Sequence, residues 1–168
     1  ESPTGFQVGV EVAVLDKRLG GWYVTHALII RIEGNTLHLD KPVTKAFDPK
    51  QGGVVLNYFP GILAVNTRDA TVEDLCLDGD IANNPGPEND FTLSAIHMVG
   101  ARGCLVRNCR VTGWPSDGIS VQRGSGNRVL GCIVEGCRGH GLHPGTGVQS
   151  SLFSNNVSRR NAWDGLYF

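Results

Sequence analysis

The stretch "VRNCRVTGWPSDGISV" (residues 106–121) is followed, 23 positions later, by "VLGCIVEGCRGHGLHP" (residues 129–144). The two align without a gap. Val106 meets Val129, Cys109 meets Cys132 and Val111 meets Val134; Gly118/Gly141 and Ile119/Leu142 follow. A third copy, "LFSNNVSRRNAWDGLYF" (residues 152–168), fits with one inserted residue. It sets Asn155 at the Cys132 position and Asp164-Gly165-Leu166 at His140-Gly141-Leu142. Upstream, "VEDLCLDG" (72–79) and "SAIHMV" (94–99) make another copy split by an insertion, and "GILAV" (61–65) supplies the end of one more. Self-similarity at a fixed period of this size marks a stacked repeat.

Each unit holds short alternating segments such as Cys109-Arg110-Val111 and Ile119-Ser120-Val121, broken by Gly and Asn. That is strand periodicity, too short and too broken for a helix. Strands this short bury a face only if each coil stacks on the next, pairing in parallel with its successor. The expected fold is therefore all-β, a parallel β-helix of ~23-residue coils. A leucine-rich repeat needs an L-x-x-L-x-L frame that is absent here. Stacking sends Ile62, Ile96, Ile119, Leu142, Leu166 and Ala64, Met98, Val121, Pro144, Phe168 inward as two columns. Cys109 and Cys132 fall in a further inward column with Leu75 and Asn155, as buried thiols rather than a disulfide or ligand pair. A serine at Cys109 is expected to destabilise, its hydroxyl lacking a partner.

The 168 residues divide into a β-rich lead-in with the first coil (1–60) and the β-helix coils (61–168), a single domain overall. In the lead-in, "EGNTLHLD" reads as a hairpin around Gly34-Asn35. No apolar run reaches the roughly 18–20 residues that a membrane span needs. The start "ESPTGF" carries no leader, and the end "DGLYF" lacks a polar cap, so the chain is expected to be a piece of a longer solenoid. Net charge is −1, but from Ala101 onward eight arginines face only Asp117, Glu135 and Asp164. Either that is chance on a solvated surface or it lines a face for an anionic ligand. Five cysteines without C-x-x-C clustering argue against zinc. No cofactor is expected; calcium at Asp78, Asp80 and Asn83 in the acidic insertion 78–90 is the one option, and it lacks the closing Glu of an EF-hand loop. "NVS" (156–158) is a glycosylation sequon.

The run "RNCRVTGWPSDGISV…GCIVEGCRGHGLHPGTG…NNVSRRNAWDGLYF" resembles the right-handed parallel β-helix repeat proteins of the pectate-lyase-like superfamily. The resemblance implies a secreted or surface-displayed protein that cleaves or binds polysaccharide, commonly acidic. "GHGLHPGTG", one coil after "SDGISV", is similar to the Gly-His-Gly motif of polygalacturonase-type glycosidases. Asp117 matches the second Asp of that family's pair and His140 its histidine. Ser116 and Ser94 stand where two further aspartates belong.

Asp117, His140 and Asp164 share one column on three successive coils and form the expected catalytic group. Strand spacing sets His140 about 5 Å from each carboxylate. Flanking acids should raise the His140 pKa and keep it charged. Two carboxylates suit glycoside hydrolysis. Elimination is the other chemistry, with Arg123, Arg138 or Arg160 neutralising a uronate while a base removes the α-proton. His97, Ser120, His143 and Tyr167 form an outward, solvated strip beside the column and are expected to contact substrate, with Trp114 and Trp163 flanking. An Asp before a turn Gly also has purely local reasons to be there. The expected function is cleavage, by a hydrolase or lyase, of an acidic polysaccharide. The alternative is a non-catalytic carbohydrate-binding, adhesin or tail-spike-like module, a monomer by default and a trimer in the tail-spike case. Neither nucleic acid nor membrane is an expected partner.

Overall fold

The computed structural model describes residues 5–16, 23–57, 60–84, 86 and 91–168. Two units emerge, Glu1–Phe59 and Pro60–Phe168. In the first, β1 (Glu11–Leu15), β2 (Thr25–Glu33), β3 (Thr36–Leu39) and β4 (Val54–Asn57) make one antiparallel sheet in the order β3-β2-β1-β4. The β2–β3 hairpin closes around Gly34-Asn35, with Glu33 opposite Thr36 and Gly34 at φ 54°. In β2, Thr25, Ala27 and Ile29 are buried at alternate positions, as in a half-buried strand, whereas β1 is buried continuously from Val12 to Leu15.

The second unit is built of coils, each with three short strands. The first coil holds β5 (Ile62–Val65), β6 (Thr71–Glu73) and β7 (Cys76–Asp78); the second β8 (Ile96–Val99), β9 (Leu105–Arg107) and β10 (Arg110–Thr112). The third holds β11 (Ile119–Gln122), β12 (Arg128–Leu130) and β13 (Ile133–Glu135); the fourth β14 (Leu142–Pro144), β15 (Leu152–Ser154) and β16 (Val157–Arg159). Like strands pair in parallel, giving the sheets β5-β8-β11-β14, β6-β9-β12-β15 and β7-β10-β13-β16. Ile119 pairs with Leu142 and Val129 with Val106, the expected offset of 23. Ile62 pairs with Ile96, an offset of 34, because the first coil carries the insertion after β7. Residues 85 and 87–90 of that insertion lie outside the described residues.

Arg128 pairs with Leu152, an offset of 24. Because Val121 still pairs with Pro144, the extra residue sits earlier than the sequence alignment set it, in the turn 145–148. Ile133 then pairs with Val157, so Asn156, not Asn155, follows Cys132 in the column. Asn155 takes the left-handed turn position instead, at φ 55°, above Gly131, Asn108 and Asp74. Asparagine, aspartate and glycine tolerate that conformation, and other side chains meet steric resistance there.

The inward positions close one apolar cluster: Ile96, Met98, Val106, Val111, Ile119, Val121, Val129, Val134 and Leu142. Cys104, Cys109, Cys132 and Cys137 fill its corners as free, buried thiols. Burial pushes the Cys137 thiol up to about 12 and also raises Cys132. The Cys109 sulfur lies 3.3 Å from the carbonyl of Arg107 and 3.7 Å from that of Val72. A serine hydroxyl would thus find an acceptor, contrary to expectation.

Corner amides are bonded from the next coil. Asn127 Oδ1 accepts from Cys104 N–H (3.0 Å), Asn156 Oδ1 from Cys132 N–H (2.8 Å) and Asn161 Oδ1 from Cys137 N–H (3.0 Å). Asn156 also donates to the carbonyl of Val129, so the sequon side chain is occupied at both ends. In the insertion, Asn83 donates to both carboxylate oxygens of Asp80, and Asp78 accepts from Asp80 N–H. These residues tie a turn.

Two expectations test this packing. A Cβ on Gly118 would meet Val134 Cγ1 at 2.2 Å and the carbonyl of Gly141 at 2.7 Å. Gly118→Ala should therefore cost about 1–3 kcal/mol, read as a lower denaturation midpoint at unchanged slope. Glu135 is buried and accepts from Arg110, Arg159 and Arg160. Arg160 and then Arg159 hold its carboxyl below the usual range. Its contribution is complete above the unfolded carboxyl pKa and fades as pH falls through the lower folded one. Glu135→Gln should flatten the acid limb of a stability-versus-pH curve, and an unaltered limb would contradict this.

Candidate functional site

Ser94, Asp117, His140 and Asp164 stand at one position of successive coils, just before the corner glycines or Ala95. The ladder fixes this stacking: Ala95 N–H donates to the carbonyl of Asp117, Gly118 to that of His140 and Gly141 to that of Asp164. The side chains do not simply stack in turn. Asp117 Oδ1 accepts from His140 N–H (2.7 Å), and Oδ2 lies 2.6 Å from Nδ1 of His143. A carboxylate has no proton to give, so the His143 Nδ1–H donates. The acid thus meets the His140 backbone and the His143 ring. Gly139 permits this, since a Cβ there would lie 2.2 Å from Asp117 Oδ1.

His140 faces the other acid. Its Nδ1 is 3.3 Å from Asp164 Oδ2 and accepts weakly from Asp164 N–H at 3.4 Å. Tyr167 stacks on the His140 ring at 4.3 Å, and Trp163 stands edge-on at 4.9 Å. His143 meets Tyr167 at 5.2 Å and Phe91 at 5.6 Å, both edge-on. Phe91 also tilts toward His97 at 6.3 Å. Exposure separates the members: Asp117 is 1% exposed, His140 7% and His143 8%, whereas the Asp164 side chain is 62% exposed.

Three expectations are corrected. The His140 pKa is lowered, not raised: burial outweighs the pull of Asp117 and Asp164, and His143 adds to the lowering. The strip His97, Ser120 and His143 is buried rather than solvated, with Ser120 Oγ accepting from Gln122 Nε2 at 3.0 Å. Tyr167 alone of that strip is half-exposed. His140, too, is a buried side chain, so its removal would cost stability as well as chemistry.

Arg160 turns to another carboxylate. Arg160 donates to Glu135 at 2.5 Å. Arg123 is exposed at a left-handed turn, and Arg138 is half-buried beyond Cys137. Trp114 packs on the core and donates to the Leu93 carbonyl (2.6 Å), anchoring the end of the insertion. Phe91 was not legible as a site residue, because only the insertion's return path brings it over His143. The Asp117–His143 pair runs diagonally between coils, so aligning equal positions misses it.

Among the described residues, Asp117, His140 and His143 each offer a ligand atom, all within 4.8 Å of one another. Residues 94–168 match the family model described as a right handed beta helix region. These coils are a right-handed parallel β-helix. The match describes the repeat and carries no polygalacturonase signature. No curated protein and no solved structure matches the chain.

The acid at the centre of this β-helix site satisfies two donors in a buried place. Asp117→Ala should therefore cost about 2–4 kcal/mol, leaving both unpaired. Asp164→Ala should stay within about 0.5 kcal/mol of the parent. Chemical denaturation of both variants checks the ranking, and equal losses would refute it.

Proposed function

We propose that the β8–β11–β14 face of this β-helix receives an acidic polysaccharide and cleaves it by elimination. The observation that carries this reading is the His140 ring held between Tyr167 and Trp163 with the exposed Asp164 carboxylate beside it. Half-exposed aromatic rings offer pyranose-sized apolar faces. Two-carboxylate hydrolysis is less well supported, because Asp117 is shut from solvent and already accepts two hydrogen bonds. Elimination needs one proton acceptor. Asp164 takes the proton α to the uronate carboxyl while His140 positions it. The electron pair forms the new C=C bond, the β C–O bond breaks, and the leaving oxygen takes a proton from water.

Low exposure of both histidines favours a second reading, a binding surface without turnover. Incubation with pectate, alginate and chondroitin sulfate separates the cases. The expected outcome is ultraviolet absorbance of an unsaturated uronate, reduced about a hundredfold or more in Asp164→Asn. New reducing ends without that absorbance would mean hydrolysis, and binding without either product would establish the second reading. Failure to bind any acidic glycan would overturn both.

A further inference from the structure

We infer that Asp117, His140 and His143 form a binding site for one divalent transition-metal ion of the zinc class. Three groups from two successive coils present ligand atoms within 4.8 Å of one another, all on buried residues. Two imidazoles and one carboxylate are the donors that borderline ions prefer; calcium and magnesium take oxygen sets. Three protein ligands leave coordination positions open for a water or a ligand oxygen.

The surroundings suit such a centre. Asp117 is oriented through its other oxygen by His140 N–H, which frees Oδ2 to face the imidazoles. When an ion takes Nε2 of His140 the ring proton must sit on Nδ1, where Asp164 Oδ2 at 3.3 Å can accept it, the carboxylate–histidine pairing that orients a ligand ring. Among the described residues, the side-chain hydrogen bonds of His140 and His143 run through Nδ1. An ion shared by Asp117 Oδ2 and the facing nitrogen of His143 replaces the proton of their 2.6 Å hydrogen bond, which is released on binding. Phe91, Trp163 and Tyr167 wall the cluster with apolar surface. An ion here rests on and deepens the reading above, because it brings positive charge to the face that would receive a uronate carboxyl.

The test uses tag-free, chelator-stripped protein and no glycan. Zn2+ titrated into the parent should bind at one ion per chain by calorimetry and shift the ring resonances of His140 and His143, leaving His26 and His38 in place. His140→Ala and His143→Ala should each weaken binding by about tenfold or more. Co2+ should give a visible spectrum without thiolate charge-transfer bands, which separates this cluster from the cysteines. Unmoved His140 and His143 resonances, thiolate bands, or binding retained in both variants would each overturn the inference. The resonance shifts are read on the parent, so a variant that fails to fold leaves the test standing. A glycan-cleaving protein that binds no Zn2+ would fail this inference alone, and a Zn2+-binding protein that cleaves none would fail only the reading above.

Discussion

The second unit depends on one constraint: each coil must satisfy the backbone of the coil before it, at its corners as well as along its strands. Three-residue strands form few ladder bonds, and the turns between them leave amides facing a narrow interior. A buried amide without a partner costs about 1–3 kcal/mol, so a coil with several would not hold. Here Asn127, Asn156 and Asn161 reach back to Cys104, Cys132 and Cys137 N–H. The cysteines and asparagines of the repeat are therefore one device. A small side chain turns the corner, and the next coil's amide side chain closes it.

The same constraint shapes the candidate site. Backbone register fixes Asp117, His140 and Asp164 in line, but side-chain chemistry decides who meets whom. The carboxylate of Asp117 goes where two N–H donors converge, on the His140 backbone and the His143 ring. The framing glycines earn their place sterically. Gly139 leaves room for that carboxylate, and a Cβ on Gly141 would lie within 1.9 Å of Ser158 Oγ. "GHGLHP" is thus a tight corner carrying two imidazole rings, each with the partner it can reach.

Much of the fold was legible because a stacked repeat writes its geometry into a linear offset. Val106/Val129 and Ile119/Leu142 pair as the 23-residue period requires. The hairpin at Gly34-Asn35 was equally plain, since turn chemistry is local. The one-residue slip over Leu152–Asn155 arose because an insertion can be slid along a turn without disturbing the apolar pattern.

What the amino-acid sequence by itself determined is the period and the inward columns of the middle coils; Leu75, Leu166 and Phe168, expected inward, are exposed. The period and columns follow from side-chain alternation and steric preference, which act over a few positions. Only the tertiary structure decided the burial of His97, Ser120 and His143, the lowered His140 pKa, the capture of Arg160 by Glu135 and the arrival of Phe91. Each of these depends on desolvation or on diagonal contacts between segments far apart in the chain. Column alignment sets equal positions side by side; it carries neither the depth of burial nor the direction in which a carboxylate leans.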